Sequence, residues 1–238
     1  MGKIVEEVAL SRGHKIASII DPQSKKATHK HLDKKAVEQA DVCIDFTHPL
    51  AVLENIEKVC GFGKNIVVGT TGWYDKIDVA KKIVLKSKTG LIYSSNFSLG
   101  MNIMFRLVES AAKIFDKFDN YDVGGFELHH NKKSDSPSGT AKTLSEILVS
   151  NIKRKKKINY EKVDGAIQPQ ELHFASLRTG FMPGLHKIFF DSQADTIEIS
   201  HSARDRSGFA LGAVMAAEWL VNRKGFYSID DFMKEIVK

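Results

Sequence analysis

Cysteine is scarce in this chain, with two residues in 238, and so is proline, with five. Cys43 lies in an apolar run typical of a strand and Cys60 at the end of a run typical of a helix, so they predict neither a disulfide framework nor a CxxC metal site. Long hydrophobic runs are lacking too, since none approaches the roughly 20 apolar residues that span a bilayer. The first seven residues are amphipathic and acidic, unlike a signal peptide, and we therefore expect a cytoplasmic location.

The chain also lacks any excess of acidic residues. It has 35 Lys and Arg against 29 Asp and Glu, a formal net charge of +6, which attracts nucleotide phosphates, dicarboxylates and nucleic acid alike. The densest basic run, residues 154–157, has no interleaved aromatic residues and belongs to no recognisable nucleic-acid module. We interpret it as a solvated helix end or loop, and we expect no nucleic-acid partner.

Short apolar runs alternate with helical periodicity through the first hundred residues. The predicted strands are residues 14–21, 41–46, 65–68 and 90–93. Such alternation predicts an α/β fold, in which a parallel sheet is covered on both faces and ligands bind at the carboxyl ends of its strands. Asp21 closes the first of these runs. An acid at that position in a dinucleotide-binding βαβ unit accepts hydrogen bonds from ribose hydroxyls, so Asp21 is a candidate cofactor residue.

The densest group of reactive side chains follows a predicted strand over residues 121–128. A histidine side chain titrates near neutrality and a lysine carries an amine, so His129, His130 and Lys133 together suit acid chemistry on an anionic substrate. A His-His pair with a nearby lysine can equally be a solvated strand end.

A helix is predicted to begin just after this group, with Ser138 as its N-cap. The first backbone N–H groups of a helix have no intrahelical partner, so Gly139 and Thr140 can present donors to a carboxylate or phosphate. Glycine also lets an anion approach the backbone closely.

Residues 127–141, Glu-Leu-His-His-Asn-Lys-Lys-Ser-Asp-Ser-Pro-Ser-Gly-Thr-Ala, resemble the signature of the dihydrodipicolinate reductase family. By that resemblance His129 and Lys133 would be the catalytic acid pair, with Lys133 donating the proton. The residues that would hold the substrate carboxylates are His130, Ser138, Gly139 and Thr140. The family reduces 4-hydroxy-tetrahydrodipicolinate to tetrahydrodipicolinate with NADPH or NADH, a step of lysine and diaminopimelate biosynthesis.

Three polar turns after the predicted strands extend the resemblance. Asp-Phe-Thr-His-Pro, Val-Gly-Thr-Thr-Gly and Asn-Phe-Ser-Leu-Gly resemble, in order and spacing, the nicotinamide-side loops of the family. Each turn alone is ordinary turn chemistry. The cofactor-binding candidates are Thr47, Gly69, Thr70, Thr71, Ser94, Ser95, Asn96 and Phe97.

The resemblance spans nearly the whole chain and implies two domains. A Rossmann-like dinucleotide-binding domain would comprise residues 1–98 and 207–238, and an α+β substrate-binding and tetramerisation domain with a mixed sheet would comprise residues 99–206. Longer strands are predicted in this second domain, over residues 171–177, 186–191 and 196–201. Extended strands of this kind often associate across subunits, and the resemblance implies a homotetramer.

Three histidines of these strands, His173, His186 and His201, have no HxxxH spacing and no cysteine partner, so we expect no metal site. Two other functions stay open. One is another two-domain nicotinamide oxidoreductase of an amino-dicarboxylate, such as an aspartate dehydrogenase, which would have to reproduce His-His-x-x-Lys. The other is a catalytically impaired dicarboxylate-binding protein.

The second alternative arises because Met1 and Gly2 resemble the last two residues of the family's glycine-rich turn. The first strand of the sheet has no counterpart before them. We expect the natural product to begin about ten residues earlier, with an apolar strand and that turn.

Overall fold

The computed structural model describes residues 1–237, which form two compact units. Unit 1 combines Met1–Leu99 with Arg206–Lys238, and unit 2 is Gly100–Asp205. In chain order the elements are α1 (Gly2–Ser11), α2 (Lys34–Val37), β1 (Val42–Asp45), α3 (Pro49–Gly61), β2 (Asn65–Val68), a 3₁₀ turn (Tyr74–Lys76), α4 (Ile77–Ser87), β3 (Gly90–Tyr93), α5 (Leu99–Phe115), β4 (Asp122–His129), α6 (Gly139–Asn151), β5 (Lys157–Asn159), β6 (Glu171–Arg178), β7 (Leu185–Asp191), β8 (Thr196–Ser202), α7 (Ser207–Leu220), β9 (Gly225–Ser228) and α8 (Ile229–Ile236).

Unit 1 contains a four-stranded parallel sheet in the order β1-β2-β3-β9. Successive strand residues point to opposite faces, so Ile66 and Val68 of β2 pack with α3 and α4 while Val67 packs with α7 and α8. All three are at most 1% exposed. The predicted parallel sheet with helices on both faces is confirmed.

The strand predicted over residues 14–21 is wrong. Only a single parallel bridge, between Ile20 and His29, forms there. Ile19 instead exchanges hydrogen bonds with Thr28, whose hydroxyl accepts from the Ile19 N–H at 2.9 Å and whose own N–H donates to the Ile19 carbonyl at 2.9 Å. A strand needs a neighbouring strand to pair its backbone groups, and in residues 1–237 the sheet ends at β1 without reaching this segment.

Helix α7 approaches the loop after β3 unusually closely. A Cβ added to Gly212 would lie 1.8 Å from the carbonyl oxygen of Phe97. The neighbouring Ala213 and Ala216 belong to the same buried cluster as the Phe97 ring. Small side chains on α7 therefore determine how this helix and this loop fit together.

Unit 2 is built on a mixed sheet in the order β5-β6-β4-β7-β8. β4 runs parallel to β6 and antiparallel to β7. One face packs on α5 and α6 through Phe174, Ile188 and Phe190, all fully buried. The other face carries the half-buried rings of Phe126 and Phe189, whose centroids lie 5.9 Å apart. The predicted mixed sheet and its three longer strands are confirmed, whereas β5 and β9 were not predicted.

The interpretation of residues 154–157 as solvated is wrong for its first two members. Arg154 donates to the carbonyl oxygens of Phe115 and Tyr121, at 3.2 and 2.6 Å. Lys155 is 1% exposed, and its amine lies 2.6 Å from a carboxylate oxygen of Asp122. Backbone carbonyls near the ends of α5, β4 and β6 need donors. Arg154 supplies two of them, and Lys155 donates to the Glu171 carbonyl at 2.7 Å.

Both cysteines are free thiols. Cys43 lies in β1, where burial raises the pKa of its thiol to about 11, so the thiolate is scarce at neutral pH. Within residues 1–237, no helix combines the length and the apolar character that crossing a membrane requires.

We expect Gly212→Ala to destabilise the chain by about 1–3 kcal/mol, because the new methyl group overlaps the Phe97 carbonyl and α7 must shift. Urea denaturation measures the change. Gly208→Ala in the same helix is the matched control, since its Cβ would meet only the Ser98 hydroxyl at 3.6 Å. That variant should keep wild-type stability or gain slightly, and an equal loss in both variants would contradict the close approach.

Candidate functional site

Strand β4 brings two ionisable side chains to one buried face near its carboxyl end. Glu127 and His129 are two residues apart, so both point to the same side of the sheet. Glu127 is 0% exposed and His129 is 8% exposed. The parallel partner β6 places Ser176 opposite Glu127 and Arg178 opposite His129, and the antiparallel partner β7 places His186 opposite Glu127.

The carboxylate of Glu127 accepts hydrogen bonds from two other elements. Its Oε1 accepts from the Ser138 backbone N–H at 3.0 Å, the Ser176 hydroxyl at 2.9 Å and Arg178 Nη2 at 2.9 Å. Its Oε2 accepts from the Ser138 hydroxyl. Strand β6 and the start of α6 are thus tied to β4 through one carboxylate.

Two imidazoles lie against the same carboxylate. His129 Nδ1 is 3.3 Å and His186 Nε2 is 3.4 Å from Glu127 Oε2. The two rings meet edge to face with centroids 5.1 Å apart. His129 Nδ1 is buried and makes no hydrogen bond at this distance, so its contact with Glu127 is electrostatic in this structure.

The environment determines the charge of these groups. Burial alone would raise the pKa of Glu127, but the contacts from His129, His186, Ser138 and Arg178 outweigh it and hold that pKa far below its ordinary value. Burial lowers the pKa of His186, and the neighbouring Glu127 offsets only part of that effect. At neutral pH the site therefore contains a carboxylate anion and a neutral His186.

The start of α6 lies next to this cluster. Ser138 is the N-cap, as predicted, and its hydroxyl accepts from the Ala141 N–H at 3.1 Å. Gly139 is exposed, with open space where a side chain would be, and Thr140 is half-buried. Helix starts with accessible N–H groups bind anions, so this turn can receive a carboxylate.

His130 and Lys133 both lie in the loop that joins β4 to α6. The Lys133 N–H donates to the His130 carbonyl at 3.1 Å, and its amine pairs with an Asp135 oxygen at 2.7 Å. Asp135 is 53% exposed, and exposed ion pairs contribute at most about 1 kcal/mol. Lys133 can therefore exchange Asp135 for another anion at low cost.

Glu127, His129 and His186 have ligand atoms within 4.8 Å of one another, close enough to share a metal ion. Both carboxylate oxygens already accept hydrogen bonds, and Arg178 places a positive charge at 2.9 Å. The donor set therefore suits a hydrogen-bonded cluster better than a divalent cation. Among the described residues no metal-ligand group includes His173 or His201, and the absence of a metal stays a prediction.

In unit 1, a cavity of about 270 Å³ lies at the carboxyl ends of the parallel strands. Its lining residues are Met1, Phe46, Thr47, Pro49, Gly69, Thr70 and Thr71. Buried Asp45 ties two of its loops together, since it accepts from the hydroxyl of Thr47 at 2.9 Å and from that of Thr70 at 2.7 Å. The exposed Thr71 keeps its side chain accessible.

The other cofactor candidates have different surroundings. The Ser94 hydroxyl donates to the Asn96 carbonyl at 2.8 Å, and Ser95 is exposed. Phe97 is 1% exposed as a whole residue, and it packs in the cluster that contains residues of α7 and α8. Asp21 does not end a strand but caps a local turn. Its carboxylate accepts hydrogen bonds from the backbone N–H groups of Gln23 and Ser24, and these bonds lower its pKa.

Sequence reasoning missed Glu127, Arg178 and His186 as site residues. Glu127 could have been predicted from its position two residues before His129 on the same strand, because this spacing places both side chains on one face. His186 and Arg178 join the cluster through the pairing register of β7 and β6, which the sequence does not reveal.

Comparison with known proteins gives consistent matches. The family model described as dihydrodipicolinate reductase, N-terminus, matches residues 1–97, and the C-terminus model matches residues 100–233. The chain is 36% identical over 238 residues to 4-hydroxy-tetrahydrodipicolinate reductase of Christiangramia forsetii, covering 100% of this chain and 95% of that protein. It is 37% identical over 251 residues to the reductase of Archaeoglobus fulgidus, covering 98% and 96%.

Solved structures share the fold. Dipicolinate-bound dihydrodipicolinate reductase from a Paenisporosarcina species superposes with a TM-score of 0.77 at 20% identity, covering 97% of this chain and 94% of that one. An amine dehydrogenase from Mycobacterium smegmatis gives 0.55 at 10% identity, covering 94% and 90%. The predicted fold class, a Rossmann-like parallel sheet with a second α+β domain, is confirmed.

We expect the stability of the chain to fall as the pH decreases below about 6.5, in part through His186. Because burial lowers the pKa of His186 in the folded chain, the unfolded chain binds this proton more readily. The loss of stability is therefore absent above about pH 6.5, the ordinary pKa of histidine, and grows as the pH falls below it. His186→Gln should reduce this pH dependence by up to about 1.4 kcal/mol per pH unit, measured by denaturation at neutral and mildly acidic pH. His173→Gln, on strand β6 and outside the cluster, is the control, and a slope unchanged in both variants would contradict the assignment.

Proposed function

The chain belongs to the dihydrodipicolinate reductase family, and we propose that it reduces 4-hydroxy-tetrahydrodipicolinate to tetrahydrodipicolinate with a nicotinamide nucleotide. It is an oxidoreductase of lysine and diaminopimelate biosynthesis. The relatives that bear the reductase name match along nearly the whole chain, at 36% and 37% identity. This match favours the enzyme over the dicarboxylate-binding protein.

One observation carries the proposal at the level of the site. A buried imidazole, that of His129, ends a strand beside the accessible start of a helix, where Gly139 leaves open space. A proton-handling group thus lies in the same unit as an anion-binding turn, which is what acid chemistry on a carboxylate substrate requires.

The substrate would be held through its carboxylates. The residues proposed to hold them are His130, Ser138, Gly139 and Thr140. The N–H groups at the start of α6 give the turn a partial positive charge, and Ser138 shapes it through its capping bond. The solved Paenisporosarcina relative was bound to dipicolinate, a cyclic dicarboxylate, which supports a ligand of this class.

Lys133 would donate the proton that balances the hydride added to the ring, and His129 would assist it. Lys133 has 22% of its side chain exposed and its amine pairs with the exposed Asp135, so it can turn to a bound substrate. A positioned general acid of this kind typically contributes about 10²–10⁴-fold to the rate.

A reduced nicotinamide supplies the hydride when it is bound. Unit 1 fits such a group, because small and hydroxyl side chains line a cavity at the carboxyl ends of parallel strands. The proposed cofactor residues are Asp21, Thr47, Gly69, Thr70, Thr71, Ser94, Ser95, Asn96 and Phe97. NADPH and NADH both stay open as the donor.

We further propose that residues 1–98 and 207–238 bind the nucleotide, and that residues 99–206 bind the substrate and assemble a homotetramer. The sheet of unit 2 is covered by helices on one face, while Phe126 and Phe189 leave the other half-exposed. Such a face suits association of subunits. A cytoplasmic location stays a prediction.

A coupled assay tests the function directly. Freshly made 4-hydroxy-tetrahydrodipicolinate is added to the purified chain with NADPH or with NADH, and nucleotide oxidation is followed by absorbance. We expect oxidation that depends on both protein and substrate. A correctly folded chain that oxidises neither nucleotide would refute the proposal.

Lys133→Ala should lower turnover by roughly 10²–10⁴-fold while leaving nucleotide affinity nearly unchanged, because only the proton donor is lost. Steady-state kinetics and nucleotide titration measure the two effects. Lys132→Ala is the matched control, since Lys132 is the exposed neighbour and should keep wild-type turnover. Wild-type turnover in Lys133→Ala would remove Lys133 from the mechanism.

A further inference from the structure

Glu127 takes no part in the proton transfer proposed above, yet it is completely buried. A buried carboxylate is costly even when it is paired, and replacing such an ion pair as a whole by apolar side chains of similar size often gives an equally stable protein. Packing alone therefore does not explain a carboxylate here. Its role must depend on its charge or on its hydrogen bonds.

The carboxylate contacts both parts of the proposed site. It accepts two hydrogen bonds from Ser138, one from the backbone at 3.0 Å and one from the hydroxyl that caps α6. Its Oε2, the oxygen that accepts from this hydroxyl, also lies 3.3 Å from His129 Nδ1. We infer that Glu127 is a positioning residue, which holds the His129 imidazole and the Ser138 turn in one fixed arrangement. This inference rests on the roles proposed for His129 and that turn.

The contact also determines which nitrogen of His129 carries a proton. A carboxylate only accepts hydrogen bonds, so the neutral ring is favoured with its proton on Nδ1. Its Nε2 then keeps a free lone pair on the far side of the ring. Gly184 lies beside this nitrogen. A Cβ on Gly184 would lie 3.0 Å from Nε2, so the glycine keeps a side chain away from the lone pair. Catalytic hydrogen bonds are often long without substrate and shorten in the complex, which fits the 3.3 Å distance.

Charged and titratable groups face Glu127 from every element packed against it. They are His129 on β4, Arg178 on β6, His186 on β7 with His201 of β8 beyond it, and Lys133 and Asp135 in the loop before α6. Arg178 compensates the carboxylate at 2.9 Å. If the charge of Glu127 is removed, this guanidinium is left uncompensated beside the two imidazoles, and a further positive charge nearby becomes less favourable.

The variant Glu127→Gln keeps the shape of the side chain and removes its charge. We expect kcat to fall roughly 10–10³-fold, with a smaller change in KM, because the reacting groups are misplaced rather than the substrate lost. The alkaline limb of the kcat profile should move to lower pH, because the loss of the carboxylate leaves the positive charge of Arg178 uncompensated beside the proton-donating groups. Steady-state kinetics from mildly acidic to alkaline pH measure all three quantities.

Glu171→Gln is the matched control. It removes a carboxylate from β6 that pairs with Lys157 at 2.9 Å, outside the cluster, so kcat and its pH profile should stay as in the wild type. If the wild-type chain itself reduces no substrate, the proposed function fails. If the wild type is active and Glu127→Gln keeps its kcat and pH profile, or changes KM alone, the positioning role is overturned and the proposed function survives.

A measurement on the wild-type chain decides the matter if Glu127→Gln does not fold. Nitrogen NMR of the ¹⁵N-histidine-labelled protein at alkaline pH reports the tautomer of each neutral ring, and His129→Gln assigns the signal. We expect the Nδ1–H tautomer for His129. The Nε2–H tautomer would overturn the inference, because Nδ1 would then have no proton to direct at Glu127.

Discussion

Unit 2 depends on one physical constraint, the burial of the negative charge of Glu127 inside a mixed sheet. An unpaired ion in such a place costs several kcal/mol, so the fold must bring donors to it. Those donors come from β6, through Ser176 and Arg178, and from the start of α6, through Ser138. The same contacts that satisfy the charge therefore also determine where β6 and α6 lie relative to β4.

Much of this architecture could be predicted from periodicity. Strands β1 to β3 are short apolar runs that a parallel sheet buries on both faces, and Ser138 has the chemistry of an N-cap. The cluster around Glu127 could be predicted only in part. Its pairing with His129 follows from alternation along β4, but the contact with His186 depends on the antiparallel register of β7. Register is a property of the folded sheet and leaves little trace in one sequence.

The two errors share a cause. Residues 14–21 have the composition of a strand, and residues 154–157 have the composition of a solvated run. In each case the outcome depends on what lies alongside. No described strand offers the first segment a continuous ladder, whereas carbonyl groups at Phe115, Tyr121 and Glu171 accept hydrogen bonds from the second. The composition of a segment indicates which structure it favours, but the backbone groups available for hydrogen bonding determine which structure forms.

A buried anion beside a turn proposed to bind a dicarboxylate raises an apparent conflict, because like charges repel. Arg178 resolves it, since its guanidinium lies 2.9 Å from Glu127 Oε1 and the pair has no net charge. An incoming carboxylate then meets the partial positive charge at the start of α6 and the amine of Lys133, which pairs with an exposed aspartate. Because Arg178 compensates its charge, Glu127 can hold the site in place without repelling the substrate. The attraction for the substrate comes from Lys133 and the start of α6.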